Sequence, residues 1–286
     1  MLKYNKFIDS GETEVAKTIP YTFKNNQGKE LSGKLEMPDG TPKAFVIFVH
    51  CFTGNKDFSA NRRISRTLRD HDFAVLRFDF TGLGNSDGDF SETNFSSNLE
   101  DLRNAYNQIK EEYSAPQILI GHSLGGAAVL TMAPELKELK AVITIGAPSS
   151  TQHLTHLFEG HLDKIQDQGH SEVEIGGRPF TIKKQFIDDI MGHKVLEKVK
   201  KMRRPLLIFH SPEDETVEIS NAKDIYTVAK HPKSFISLSG ADHLLTKAED
   251  THYVANVIAT WCDRYIEDEQ VLTEEDPTSI DLKKTS

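Results

Sequence analysis

Short apolar runs alternate with longer stretches of helical spacing along most of the chain. Six runs are apolar at nearly every position, which is typical of strands buried on both faces of a parallel sheet. They cover residues 44–49, 74–80, 117–120, 141–145, 206–209 and 235–238. Helical spacing covers residues 57–71, 94–112 and 247–265. This alternation predicts an α/β fold with a mostly parallel central sheet and helices on both faces.

Two shorter β-rich runs precede these strands. Residues 21–23 and 31–35 are joined through Asn25-Asn26-Gln27-Gly28, a segment rich in turn-forming residues. The pattern predicts an antiparallel hairpin at the edge of the sheet.

Residues 150–203 interrupt the alternation. They combine helical spacing with two strand-like runs joined by Gly176-Gly177, and a Gly-Gly pair suits the positive φ angles of a tight hairpin turn. Long insertions in compact folds are often functional. We therefore interpret 150–203 as a cap over the site, inserted into an α/β core formed by 1–149 and 204–266. A surface excursion without a role is the alternative.

Composition and charge narrow the possible partners. The chain has 286 residues and a formal net charge of −9, and no basic cluster stands out. A nucleic-acid or anionic membrane partner would require a basic face, so neither is expected. The N-terminus lacks the apolar core of a signal peptide, and no run approaches the ~20 apolar residues of a membrane span. Cys51 and Cys262 lie far apart and imply no disulfide framework, so we expect a cytoplasmic protein. Residues 267–286 are polar, which predicts a mobile tail.

The pentapeptide Gly121-His122-Ser123-Leu124-Gly125 lies between a predicted strand and a helical run. In this context the Gly-x-Ser-x-Gly pattern is typical of a nucleophile elbow, a sharp turn that holds the serine hydroxyl clear of the sheet. Ser123 is the predicted nucleophile. The amide of Leu124, at the helix N-terminus, is a predicted donor to an oxyanion.

A serine hydroxyl needs a general base and an acid that orients this base. Asp214 lies in the loop after the strand at 206–209, and His243 lies in a glycine-containing loop after the strand at 235–238. Sites of α/β sheets lie at the carboxyl ends of the strands, so both loops reach the predicted site. We predict His243 as the base and Asp214 as its acid.

Three other carboxylates compete with Asp214. Glu213 and Glu215 flank it, but neighbouring side chains on a loop point in different directions. Asp242 is adjacent to His243 and would have to curl back onto the ring of its neighbour. We therefore favour Asp214.

The turn His50-Cys51-Phe52-Thr53-Gly54-Asn55 follows the first long parallel strand and is the expected second half of an oxyanion hole. The amide of Phe52 would pair with that of Leu124, and each such donor contributes ~3–4 kcal/mol to transition-state stabilisation. We expect His50 to brace this turn by hydrogen bonding. Cys51 as a nucleophile is the less favoured alternative to a packing role.

With these motifs, residues 20–265 resemble the α/β-hydrolase serine esterases. Residues 79–86, Asp-Phe-Thr-Gly-Leu-Gly-Asn-Ser, resemble the Asp-x-x-Gly-x-Gly-x-Ser loop of that family. The chain is most similar to two branches: the bacterial cinnamoyl/feruloyl esterases, and the hydrolase half of fusion proteins that carry an osmotically-inducible-protein-C-like domain. The commoner family turn is His-Gly where this chain has His50-Cys51, and cysteine disfavours positive φ.

Motifs and resemblance together predict a serine carboxylic ester hydrolase. It would act through an acyl-enzyme on small-molecule short-chain or aryl esters, hydroxycinnamoyl esters among them, without cofactor or metal. A thioesterase or perhydrolase with the same triad, and a non-hydrolytic receptor on the same scaffold, are the alternatives. The cap is expected to shape the pocket without contributing to the chemistry. Candidate pocket residues are His50, His122, Leu157, Phe158, Phe180 and Phe186.

Overall fold

The computed structural model describes residues 16–266, whose ten strands form two sheets. Eight strands form the central sheet in the spatial order β1-β2-β4-β3-β5-β6-β9-β10, and β7 and β8 form a separate antiparallel hairpin. In chain order the strands are β1 (Lys17–Lys24), β2 (Glu30–Met37), β3 (Ala44–Val49), β4 (Phe73–Phe78), β5 (Ile118–His122), β6 (Ala141–Ile145), β7 (His170–Ile175), β8 (Arg178–Lys183), β9 (Leu206–His210) and β10 (Lys233–Ser237).

The central sheet is mostly parallel. β1 pairs antiparallel with β2 and β2 with β4, whereas every pair from β4 to β10 is parallel. β3, β4, β5, β6 and β9 are buried at every position because helices cover both faces. The predicted mostly parallel sheet is confirmed, and its carboxyl ends lie together along one edge.

Helices cover the two faces of the sheet in separate groups. α1 and α8 bury their apolar side chains against one face, and α2, α3, α6 and α7 cover the other. Among residues 16–266 the α-helices are α1 (Ser59–Arg69), α2 (Phe95–Glu112), α3 (Leu124–Met132), α4 (Leu162–Gln168), α5 (Lys184–Gly192), α6 (Val195–Lys201), α7 (Ser220–Val228) and α8 (Ala248–Ile266).

The segment between β6 and β9 holds the predicted cap. It begins with a 3-10 helix (Thr151–His161) and continues with α4, the β7–β8 hairpin, α5 and α6. The hairpin turn has positive φ at Gly176 (+58°) and Gly177 (+74°). α6 packs on α3 in the helix layer of the sheet, so this last part of 150–203 shares the core layer. The cap boundaries stay a prediction.

Hydrogen bonds attach the cap to the start of α2. Ser96 donates to the Asp189 carboxylate from its backbone N–H (2.9 Å) and from its hydroxyl (2.5 Å). Asn94, the N-cap of α2, donates to Gln185 Oε1 at 2.6 Å. α5 is therefore fixed over the same edge of the sheet at which the predicted site lies.

Three further sequence predictions concern membrane spans, the C-terminal tail and the cellular setting. Within residues 16–266, none of the helices has the length and apolar character needed to cross a bilayer. The predicted tail at 267–286 lies outside the described residues. The cytoplasmic setting stays a prediction.

Candidate active site

Ser123 lies in the sharp turn between β5 and α3. Its backbone has φ +55° and ψ −124°, which an L-residue adopts only where its surroundings enforce it. Close packing around the turn explains the glycines. A Cβ on Gly121 would lie 2.2 Å from the Gly125 carbonyl oxygen, and a Cβ on Gly125 would lie 2.4 Å from that of Val49. The geometry is that of a nucleophile elbow, with Leu124 as the first residue of α3.

Asp214 and His243 meet beside the carboxyl ends of β5, β6 and β9. His243 Nδ1 lies 2.7 Å from Asp214 Oδ2, and Oδ1 of Asp214 accepts hydrogen bonds from the amides of Thr216 (2.9 Å) and Val217 (2.8 Å). Burial alone would raise the pKa of Asp214, but these hydrogen bonds hold it below its usual value. The carboxylate is therefore ionised and can only accept, so the proton lies on Nδ1 and leaves Nε2 of His243 free to accept another.

Two of the three competing carboxylates, Glu213 and Asp242, have other partners. Glu213 accepts hydrogen bonds from the Gly240 amide (3.0 Å) and the Ser211 hydroxyl (3.1 Å). Asp242 accepts from the Thr246 amide at 2.8 Å and so stabilises its own loop. The structure brings Asp214 to His243, as the sequence predicts.

Two buried histidines and a glycine support this pair. His122 donates from Nε2 to the carbonyl oxygen of His243 (2.7 Å), and His210 donates from Nε2 to that of Val217 (2.7 Å). Burial lowers the pKa of His122 to about 4, aided by the nearby His243, and burial also lowers the pKa of His210. Gly146 has φ +54°, and a Cβ there would lie 3.1 Å from Asp214 Oδ2. Sequence reasoning missed His210 and Gly146, whose only signal was their position at strand ends.

The turn at residues 50–54, called the oxyanion turn below, has an unexpected conformation. Thr53 has a left-handed φ of +54°, whereas Cys51 does not. Cys51 is nevertheless the position at which the family commonly has glycine. His50 Nδ1 donates to the Cys51 carbonyl oxygen at 2.7 Å, and the Gly54 amide donates to the same oxygen at 3.0 Å. His50 therefore braces the turn. Within residues 16–266 no acceptor is found for the Phe52 amide.

Burial also bears on Cys51 as a nucleophile. It raises the pKa of the Cys51 thiol to about 11, so this group is protonated at neutral pH. Since the thiolate is the reactive form, the structure favours the packing role.

A buried ion pair anchors the far end of the oxyanion turn. Asp79 accepts hydrogen bonds from the Lys56 amide and from Lys56 Nζ, both at 2.6 Å, and from the Asn85 amide at 2.9 Å. A Cβ on Gly84 would lie 2.1 Å from Asp79 Oδ2, which explains the second glycine of the 79–86 loop. Arg77 in turn donates to the Lys56 carbonyl and to Glu36. The loop at residues 79–86 therefore anchors the oxyanion turn.

The predicted pocket residues of the cap fall into two groups. Phe158 and Phe186 are buried, with ring centroids 6.2 and 5.4 Å from that of Phe52. Phe180 is half-buried against Phe90, at a centroid distance of 5.0 Å, and Leu157 is partly buried on the same apolar cluster. Aromatic side chains of the cap thus pack directly on the oxyanion turn.

An apolar cavity lies beneath the oxyanion turn and beside the elbow. Phe52 and Leu124, the two predicted oxyanion donors, both line it. The other lining residues are His50, Cys51, Thr53, Phe80, Leu83, Phe90, Phe95, Asn98, Gly125 and Ala128. Of the predicted pocket residues, His50 faces this cavity, whereas His122 contacts the His243 loop.

The cap histidines have partners in the protein. His153 Nε2 donates to the Thr216 carbonyl at 2.8 Å, His156 Nδ1 to the carbonyl of His153, and His161 Nδ1 lies 2.9 Å from the Ser171 hydroxyl. Among residues 16–266, no group of three or more His, Cys, Asp and Glu side chains is arranged to hold a metal ion.

Comparison with protein families supports the assignment of the fold. Residues 40–187 match the Hydrolase_4 family, described as serine aminopeptidase S33. The chain belongs to this family of α/β-hydrolases. The matched range contains the elbow and the oxyanion turn and ends before Asp214 and His243. The predicted α/β-hydrolase fold and the prediction of a hydrolytic enzyme are confirmed.

Three individual proteins illustrate the relationship. The esterase domain of a Rhodothermus marinus protein is 46% identical, with a TM-score of 0.73, over 87% of this chain and 99% of that one. Est1E from Butyrivibrio proteoclasticus, solved with ferulic acid, is 22% identical, with a TM-score of 0.71, over 86% and 99%. Rat mitochondrial palmitoyl-protein thioesterase ABHD10 is 25% identical over 77% of this chain and 75% of its own length. The resemblance to serine esterases is thereby confirmed.

Proposed function

We propose that the protein is a serine carboxylic ester hydrolase with Ser123 as nucleophile, His243 as general base and Asp214 as the acid that orients it. The observation that carries this proposal is the 2.7 Å hydrogen bond between His243 Nδ1 and Asp214 Oδ2, beside an elbow serine in a strained conformation. This bond fixes the tautomer in which Nε2 can accept the Ser123 proton.

The reaction follows from these positions. Ser123 Oγ attacks the ester carbonyl carbon while its proton moves to His243 Nε2, and the carbonyl oxygen becomes an oxyanion. The amides of Phe52 and Leu124 stabilise that charge. Collapse expels the alcohol, which takes the proton from His243, and leaves an acyl-enzyme. Water then attacks the acyl carbon by the same route, giving the carboxylic acid and regenerating Ser123.

The apolar lining of the cavity beneath the oxyanion turn supports an apolar acyl group. The cavity is small, about 10 Å³, and four of its twelve lining residues are the phenylalanines Phe52, Phe80, Phe90 and Phe95. An apolar lining favours a short-chain or aryl acyl group over a charged one. The ferulic acid complex of Est1E concerns a protein with the same fold, and it makes hydroxycinnamoyl esters the first aryl esters to test.

Thioester cleavage is the second candidate. The rat relative is a palmitoyl-protein thioesterase, and the same triad can attack a thioester carbonyl. Perhydrolysis would use the same residues as well.

A substrate panel with a nucleophile variant tests the proposal. The panel contains 4-nitrophenyl acetate, butyrate and octanoate, methyl ferulate, and an S-palmitoyl peptide. Ser123→Ala is expected to lower ester turnover by about three to six orders of magnitude in a folded protein and to abolish fluorophosphonate labelling. Ser149→Ala, which removes another buried hydroxyl near β6, serves as the matched control and keeps both activities.

Each other outcome has a defined meaning. Preference for the S-palmitoyl peptide would establish the thioesterase alternative. A wild-type protein that turns over no substrate and takes up no fluorophosphonate would support a non-hydrolytic receptor and overturn the proposal. Ester turnover that survives in Ser123→Ala would exclude Ser123 as the nucleophile.

A further inference from the structure

Two cationic side chains of β8 bind the rest of the protein at different places. Arg178, the first residue of β8, donates from Nη2 to the backbone carbonyl of Thr53 in the oxyanion turn. Lys183, the last residue of β8, pairs with Glu92 on the surface. One strand of the cap therefore contacts the oxyanion turn at one end and a surface carboxylate at the other.

The oxyanion turn needs support from outside itself. Thr53 is β-branched and has a φ of +54°, a conformation that such residues adopt only when neighbouring groups enforce it. Its side chain is buried, at 5% exposure, so the turn is closely packed. Thr53 directly follows Phe52, whose amide is the proposed oxyanion donor. A partner that holds the Thr53 carbonyl therefore limits rotation of the main chain at Phe52.

The cap supports Phe52 from a second direction. Phe158 and Phe186 pack against its ring, and Phe186 lies two residues after α5 begins. Arg178 also lies over the ring of Phe180, with its guanidinium carbon 5.2 Å from the centroid, which restricts the arginine side chain. The cap thus contacts both the ring of Phe52 and the carbonyl oxygen of the next residue, Thr53.

We propose that Arg178 is a positioning residue for the oxyanion hole. By holding the Thr53 carbonyl it keeps the Phe52 amide directed at the carbonyl oxygen of the substrate, so the cap contributes to kcat as well as to substrate fit. This proposal rests on the proposed esterase function and goes beyond the sequence-based expectation of a cap that only shapes the pocket.

The proposal has a distinct kinetic signature. The oxyanion forms in the transition states and intermediates of acylation and deacylation, and it is absent from the bound ester. Loss of positioning therefore lowers kcat for every ester, including an acetate too small to reach the cap, and leaves KM nearly unchanged. Loss of a cap contact with substrate would instead raise KM for bulky acyl groups.

Two matched variants separate these cases. Arg178→Met is expected to lower kcat about tenfold on both 4-nitrophenyl acetate and methyl ferulate, with KM within about twofold of wild type. Lys183→Met removes a cation from the same strand and the same hairpin, but its partner is Glu92, so kcat is expected to stay near the wild-type value. Arg178→Lys, which keeps a donor on a different stem, is expected to recover part of the rate.

Binding of a transition-state analogue provides a second readout. An alkyl trifluoromethyl ketone forms a hemiketal oxyanion on Ser123, so its inhibition constant should rise in Arg178→Met by the same factor as kcat/KM falls. Inhibition by the product ferulate, which forms no such adduct, should stay unchanged.

The outcomes distinguish the two proposals. Equal losses in Arg178→Met and Lys183→Met would overturn the positioning role, because the effect would then come from docking of the whole hairpin. A change confined to KM for methyl ferulate would also overturn it and assign Arg178 to substrate binding. A wild-type protein without esterase activity would overturn the proposed function itself, and the positioning role with it.

Discussion

The nucleophile elbow and the oxyanion turn line the same cavity, yet different interactions hold them in place. At the elbow, backbone packs on backbone: Gly125 lies so close to the Val49 carbonyl that a Cβ would lie 2.4 Å from it. At the oxyanion turn, side chains from distant segments hold the backbone, with Asp79 at one end and Arg178 at Thr53. The elbow is thus fixed by close packing of backbone on backbone, whereas the oxyanion turn depends on side chains that substitutions can remove one at a time.

Among the tests of this comparison, the largest effect is expected at the hydrogen-bonded pair of Asp214 and His243. Asp214→Asn is expected to lower kcat by up to ~10⁴, because the amide can favour the wrong tautomer of His243 and no longer stabilises its positive charge. The measurement is steady-state hydrolysis of 4-nitrophenyl acetate, with folding checked by circular dichroism. Asp242→Asn is the matched control from the same site. If Asp242→Asn proves the more damaging of the two, Asp214 is the wrong acid.

The interactions that hold each region in place determine how far the sequence predicts it. The elbow is specified by five consecutive residues, so the pattern alone predicts Ser123 and Leu124 as site residues. The sequence also predicts Asp214 and His243, because each follows a recognisable buried strand. The contact of Arg178 with Thr53 spans 125 positions, and no local pattern announces it. The left-handed residue was equally hidden, because Thr53 is a residue type that ordinarily avoids positive φ.

The buried anchor of the oxyanion turn supplies the next test. Lys56→Met leaves the Asp79 carboxylate buried without its cation, and losing one partner of such a pair typically costs about 3–5 kcal/mol of unfolding free energy. Both side chains are almost fully buried, at 3% and 0% exposure. Lys34→Met is the matched control: its pair with Asp57 is at the surface, where a loss of at most about 1 kcal/mol is expected. Urea unfolding measures both, and equal losses would contradict the anchoring role.

Protonation of His122, which directly precedes Ser123, should make the unfolding free energy depend on pH. The unfolded chain protonates a histidine near pH 6.5, whereas burial lowers the pKa of His122 to about 4 in the folded protein. Between these values the unfolded state binds more protons, so stability falls as pH falls. The contribution is complete above about pH 6.5, and about 3 kcal/mol is lost by about pH 4.

A His122→Gln variant isolates this contribution. The variant itself is expected to be less stable at pH 7, because it disturbs the hydrogen bond to the His243 carbonyl. Its loss of stability between pH 7 and pH 5 should nevertheless be smaller than that of the wild type. Urea unfolding at both pH values gives the two slopes, and identical slopes would show that His122 is not the group that titrates.

The smallest effect compares the backbone strain stored in the two regions. Ser123 has φ +55° and ψ −124°, outside the left-handed helical region, and Thr53 has φ +54°. Such conformations cost L-residues ~1–3 kcal/mol, a cost that glycine avoids. Glycine at either position should therefore give a more stable protein than alanine at the same position. The side chain is lost in both variants, so the difference reports the backbone. We expect a gain of about 1 kcal/mol at Thr53 and a larger one at Ser123.

Thr227, an exposed residue of α7, provides the control, because in a helix glycine is less stable than alanine by about 1 kcal/mol and the sign should reverse. Urea unfolding of the three Gly/Ala pairs makes the comparison. Equal stabilities of Thr53→Gly and Thr53→Ala would mean that the oxyanion turn holds no strain, and Arg178 would then have little to restrain.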